Sequence, residues 1–115
     1  MILVDWDTAI SPETSQEAKD ALIEAVVADP EAIITVLNAN HTMTLGETKA
    51  RLREVAFPFD TALVNPLPQS VDCLTYKTMF AARLQGSSEH KTVLVIDKDV
   101  ESRRMWADSG VGNVA

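Results

Sequence analysis

Met1-Ile2-Leu3-Val4-Asp5-Trp6-Asp7-Thr8-Ala9 opens the chain, and Val93-Leu94-Val95-Ile96-Asp97-Lys98 echoes it near the other end. In each, a short apolar run delivers an acid. Runs that are apolar throughout, with no polar residue at every second position, belong to strands buried on both faces, and such strands form parallel sheets. Two more runs lie between them, Ala32 to Leu37 and Thr61 to Val64. The segments that separate these runs carry helical spacing. Ala18, Leu22, Ala25 and Val26 mark the first helix, and Leu45, Leu52 and Val55 the second. Residues from about Asp72 to Leu84 make a third, and Asp99 to Ser109 a fourth.

The order is therefore βαβαβαβα, with Val111 to Ala115 as the stub of a fifth strand. This alternation predicts an α/β fold: a Rossmann-like three-layer sandwich with a parallel sheet of four to five strands. The punctuation agrees. Ser11-Pro12-Glu13 reads as a turn, and Thr14 with Glu17, like Thr44 with Glu47, has capping-box spacing. Asp29-Pro30 ends the first helix, and Phe57-Pro58-Phe59-Asp60 breaks the second. Asn65-Pro66-Leu67-Pro68 is a rigid loop. Gly86 and Gly110 stop the last two helices. Gly86 to Lys91 is a polar loop, and Thr92 to Ile96 the fourth strand. The connections leave no room for a large inserted cap.

At 115 residues the chain is expected to be one domain, 1–115. Its net charge of -7 disfavours binding along nucleic acid, which depends on neutralising phosphates with basic residues. No apolar stretch reaches the roughly 20 residues of a membrane helix. Asp5 interrupts the N-terminus before any secretory h-region forms. Cys73 is a lone cysteine, expected as a small core residue. These features together suggest a cytoplasmic protein.

Parallel α/β sheets hold their chemistry at the carboxyl ends of the strands. Asp5 and Asp7, Asn38 with Asn40, Lys77, and Asp97 with Lys98 all fall near such ends or on the adjoining helices. Plainer readings exist. The acids can be turn or cap residues, Lys77 a solvated helix face, and Asn38, Asn40 and His41 a polar loop. Trp106 reads as a core or interface residue. Trp6, between the two acids, must point away from both or line the pocket mouth.

This set and its order resemble the haloacid dehalogenase (HAD) superfamily of phosphohydrolases, most closely the phosphatase domain of phage polynucleotide kinase and related small phage proteins. The densest match is Val93 to Val111: an apolar strand, an acid, then a helix holding Met105-Trp106 before Gly110-Val111. The resemblance implies that Asp5 attacks phosphorus and binds Mg²⁺, and that Asp7 is general acid and base and contributes to the metal site. It implies that Lys77 steadies the developing charge and that Asp97 is a further metal ligand. A divalent ion screens the repulsion between a carboxylate and a phosphate dianion.

Several residues depart from the family pattern. Thr8-Ala9 replaces Gly-Thr or Gly-Val, Asn38 replaces Thr or Ser, and Ala39-Asn40 replaces Gly-Arg. Lys98 stands where a second metal-binding acid is usual, and its ammonium is expected to pair with Asp5 and fill the cation site. Two functions are consistent with this mixture. One is a catalytically impaired domain that acts by binding an unidentified protein partner, with no cofactor. The other is a small Mg²⁺-dependent phosphatase acting on a nucleotide or a nucleic-acid 3′-phosphate. The short last strand leaves an edge at which a second copy can pair to form a homodimer.

Overall fold

Each apolar run expected as a strand is found in one sheet. The computed structural model describes residues 1–40, 43–67, 71–86 and 94–115. Within them, β1 (Ile2–Asp5), β2 (Ile34–Asn38), β3 (Thr61–Val64), β4 (Leu94–Ile96) and β5 (Asn113–Val114) lie in the order β3-β2-β1-β4-β5. Every neighbouring pair is parallel. Five helices join them: α1 (Trp6–Ile10), α2 (Ser15–Ala28), α3 (Leu45–Glu54), α4 (Cys73–Gln85) and α5 (Val100–Ser109). The expected polar loop after Gly86, with His90, and the first residues of the expected fourth strand, Thr92 and Val93, lie outside the described residues. So do His41 and Pro68.

Strand alternation divides the sheet into two faces. Ile2, Val4, Val36 and Ile96 pack with Trp6 and Ala9 of α1, Ala18 and Leu22 of α2, and Leu52 of α3. Leu3, Leu37 and Val95 pack on the other side with Tyr76 and Ala81 of α4 and Trp106 of α5. Complete burial of a side chain such as Leu22 or Leu52 contributes about 1.5–3 kcal/mol. Helices after β1 and β2 cover one face and those after β3 and β4 the other. Right-handed crossovers require that arrangement when the strand order reverses. Among the described residues no helix is long and apolar enough to cross a membrane.

Several local expectations are corrected. The segment after Asp5, given no element in the sequence reading, is the short helix α1, for which Asp5 is the N-cap. Five residues carry too little periodicity to be recognised as helix. The Thr44–Glu47 capping box forms in full. The Thr14–Glu17 box does not: the Thr14 hydroxyl donates to the Thr8 carbonyl (2.8 Å), and Glu17 has a different partner, Lys98. Leu45, expected on the apolar side of its helix, is 40% exposed. Trp6 lies in the core, because the turn into α1 swings it under the sheet away from both acids. Cys73 is exposed rather than in the core, since it begins α4 at the rim of the cavity over the carboxyl ends of the strands. Gly110 takes the left-handed conformation (φ 70°) that closes α5. Arg103 of α5 donates to the carbonyls of Asp97 and Ala115, fastening the fifth strand to the fourth.

Candidate functional site

The strand order reverses between β1 and β4, because β2 and β3 extend to one side and β4 and β5 to the other. A crevice opens at the carboxyl ends at such a switch point. Asp5 ends β1 and Asp97 follows β4 directly. Both acids are on the α4–α5 face, with Leu3 and Val95. A cavity of about 650 Å³ opens above them, lined by Asp5, Asp7, Cys73, Lys77, Lys98 and Ser102 among others.

Lys77, on the buried side of α4, reaches between the two strands. Its ammonium lies 2.9 Å from Asp5 Oδ1 and 2.9 Å from Asp97 Oδ2, and it donates to Ser102 Oγ at 3.1 Å. Lys77 is 5% exposed, Asp5 7% and Asp97 0%. The remaining acceptors are also engaged. Asp5 Oδ2 receives the backbone N–H and the hydroxyl of Thr8, both at 3.0 Å. Asp97 Oδ1 receives the Asp99 N–H (3.0 Å), and Asp97 Oδ2 also receives the Trp106 indole N–H (3.1 Å). Ser102 gives its hydroxyl proton to Asp99 Oδ2 (2.7 Å), so an oxygen lone pair is left for Lys77. Thr8 Oγ1 accepts the Lys98 N–H (3.0 Å), joining the ends of β1 and β4.

Burial pulls the Lys77 ammonium towards neutrality, but Asp5 and then Asp97 outweigh it and hold the pKa above its ordinary value. Burial, reinforced by the Asp5 charge, raises Asp97. Asp7 stands at the mouth. Partial loss of solvent, then the neighbouring Asp5 charge, raises its pKa against the opposing pull of Lys77. The Ser102 hydroxyl, followed by the Ser102 N–H, lowers Asp99. Loss of solvent raises the Cys73 thiol, which removes the thiolate character a nucleophile needs.

Of the expected site residues, Asp5, Lys77 and Asp97 meet in direct contact, and Asp7 shares the cavity. Asn38 does not join them. It is one residue beyond Leu37, so alternation turns it to the other face, where its amide donates to Thr48 of α3 (3.0 Å). Lys98 departs from expectation for the same reason. It follows Asp97, so its side chain diverges from the carboxylates and its ammonium pairs with Glu17 of α2 (3.3 Å). A lysine does sit among the carboxylates, but it is Lys77. Thr8 and Ser102 are site residues that no strand or helix periodicity points to. The one available signal for Thr8 is its place three residues after an acid at a strand end, the N-cap spacing.

The donor set does not fit Mg²⁺ as it is arranged. Among the described residues no group of three or more His, Cys, Asp or Glu side chains is placed to hold a metal ion, and Asp5, Asp7 and Asp97 do not form one. An ammonium already bridges Asp5 and Asp97, and the residue after Asp97 is Lys98, which pairs with Glu17. The chain matches no family model, and no curated protein or solved structure matches it significantly. What the site does must follow from its own residues.

Proposed function

We propose that this chain is a HAD-like domain with a degenerate active site, catalytically impaired, that acts by binding a protein partner. The observation that carries this reading is the commitment of both lysines that line the cavity among the described residues. All three N–H groups of Lys77 have partners in Asp5, Asp97 and Ser102, and the Lys98 ammonium pairs with Glu17. A phosphoryl group entering the cavity would meet the carboxylates of Asp5, Asp7, Asp72 and Asp99 with no uncommitted lysine to offset them. Asp5 is also poorly disposed to attack, since each of its carboxylate oxygens already accepts a hydrogen bond or ion pair. Transition-state charge needs donors aimed at the reacting group rather than at one another.

One observation favours the second reading, a small Mg²⁺-dependent phosphatase of a nucleotide or 3′-phosphate end. Asp7, at the mouth, keeps its proton to higher pH than an ordinary carboxyl group, as a general acid for the leaving oxygen should. The two readings separate in one assay. An aryl phosphate and a 3′-phosphorylated oligonucleotide are incubated with the protein, with Mg²⁺ and with chelator, beside Asp5→Asn. The binding reading expects no turnover in any arm. Turnover that requires Mg²⁺ and disappears in Asp5→Asn would establish the phosphatase instead.

A further inference from the structure

We propose that the open side of β3 is a docking groove for an amphipathic helix of a protein partner, one that carries basic residues where it crosses the amino ends of β2 and β3. The inference rests on the reading of this chain as a partner-binding domain, and it names a surface apart from the cavity at the carboxyl ends.

β3 is an edge of the sheet, and its two faces are treated differently. Ala62 points to the face covered by α1, α2 and α3; it is 3% exposed and packs in the same core as Leu52 of α3. Leu63 points to the opposite face, beside Leu37 of β2. Leu37 is buried with α4 and α5, but Leu63 is 39% exposed. On that face the described helices stop one strand short. The gap is a groove of about 590 Å³ whose floor is Thr35 of β2 with Thr61 and Leu63 of β3. Strands lie about 4.8 Å apart and a helix is about 10 Å across, so two strands make the floor for one helix. A helix seated there would mirror α3 on the other face.

The wall comes from α4. Tyr76, Phe80 and Leu84 fall four residues apart on one stripe of that helix. Tyr76 is buried, whereas Phe80 and Leu84 are only half-buried and border the groove. At the amino end Ile33, 52% exposed, continues the apolar surface beyond the start of β2. Contiguous apolar surface of this kind, rimmed by polar groups, marks an interaction site.

The charges say which partner fits. The charged side chains among the described lining residues are Asp29 and Glu31, both at the amino end of β2. Asp60, whose Oδ2 takes the Ile34 N–H (2.8 Å), adds a third carboxylate at that end. No lysine or arginine is among the described lining residues. A helix with apolar side chains at i, i+3, i+4 and i+7 would fill the space between Leu63 and Phe80. Lysine or arginine in its turn over the acids would complete the match. A second copy of this chain would instead bring a net charge of -7 towards the same acids.

The test selects from a displayed library of randomised helical peptides of three to four turns against the whole chain, with Leu63→Glu as counter-selection. Leu63 already meets solvent, so the variant should fold. The enriched peptides, made synthetically, should carry an apolar stripe at helical spacing and a net positive charge. Their Kd should rise about 30-fold in Leu63→Glu, as for an interface hot spot. It should rise about threefold in Glu31→Lys at low salt, an effect that fades in high salt. Amide shifts of labelled wild type, titrated with such a peptide, should gather at Thr61 to Leu63 and Phe80 to Leu84, a measurement that needs no variant. Shifts elsewhere, an acidic consensus, or apolar residues at every second position, as in a strand added to the edge, would overturn the proposal. So would a selection that enriches nothing, or a Leu63-dependent dimer of the free chain in sedimentation, which would seat a second copy in the groove. Turnover of a phosphomonoester that is abolished in Asp5→Asn would sink the partner-binding reading instead, whatever peptides the groove takes.

Discussion

Replacing Lys77 by methionine should reveal how the interior of this domain is balanced. Methionine keeps most of the stem that packs under the sheet and removes only the ammonium. The loss falls on two carboxylates that are 7% and 0% exposed. Each of the three contacts involves a charged group, and hydrogen bonds of that kind are worth about 1.5–3 kcal/mol singly. They share one ammonium, so they do not add. Breaking a buried ion pair by removing one partner costs about 3–5 kcal/mol in all. That is a large part of the roughly 5–15 kcal/mol that holds a domain folded. Urea unfolding at neutral pH should show the midpoint falling while the slope stays constant. The deficit should depend on pH at both ends. Lys77 has a folded pKa above its ordinary 10.5, so its contribution is complete below that value and is lost as pH rises through the folded value. Wild type and variant therefore converge in strong alkali. At the acid end the deficit should also shrink, because Asp97, raised already by burial, takes up a proton readily once Lys77 is gone. Asp5→Asn/Lys77→Met/Asp97→Asn, which removes every charge of the triad, should lie within about 2 kcal/mol of wild type, since buried ion groups replaced together are often nearly neutral. A loss below about 1 kcal/mol for Lys77→Met at neutral pH, or a loss that grows on acidification, would refute the picture of a fixed buried cation.

Asp7→Asn tests the mouth of the pocket. A carboxyl group whose folded pKa is raised contributes stability below the unfolded value, near 3.8, and loses it as pH rises through the folded value. Wild type should therefore fall relative to Asp7→Asn across that window and be the less stable of the two at neutral pH, as urea midpoints at several pH values would show. Trp106→Phe removes the indole N–H from Asp97 Oδ2 at a site with no exposure, and should cost about 1.5–3 kcal/mol in the same assay. Gly110→Ala should cost about 1–2 kcal/mol through backbone strain at φ 70°, not through a clash, because the nearest atom to the added Cβ is Gln85 Nε2 at 3.9 Å. Its melting temperature is the measurement.

The strands were legible because their burial is two-sided. An apolar run with no alternation has few alternatives to a parallel strand, as in β1, and Thr61 to Val64 is β3 without adjustment although it lies at the sheet edge with Leu63 exposed. Even the two-residue β5 follows from the glycine that ends α5. What escaped was decided over three to five residues. The turn of α1 is too short to show a period, and Thr14 has the spacing to accept a backbone N–H of α2 but instead donates its hydroxyl to the Thr8 carbonyl. Spacing states which hydrogen bonds are available, not which of them a hydroxyl will make.

The site divides along a different line. Asp5, Lys77 and Asp97 are brought together by the topology alone: two strand ends at a switch point, and the buried side of the helix that crosses back over them. Asn38 and Lys98 are equally close to strand ends in sequence, yet each is one residue out of phase. On a strand one residue is a whole face of the sheet. Asn38 consequently serves α3 and Lys98 serves α2, while the α4–α5 face keeps the two acids. Phase, and not proximity to a strand end, is what selects a site residue in a parallel sheet. It also explains how Lys98 is accommodated beside the site. A lysine in phase with Asp97 would have put a second ammonium against Lys77 at a buried position. Out of phase it finds Glu17 and leaves the triad intact.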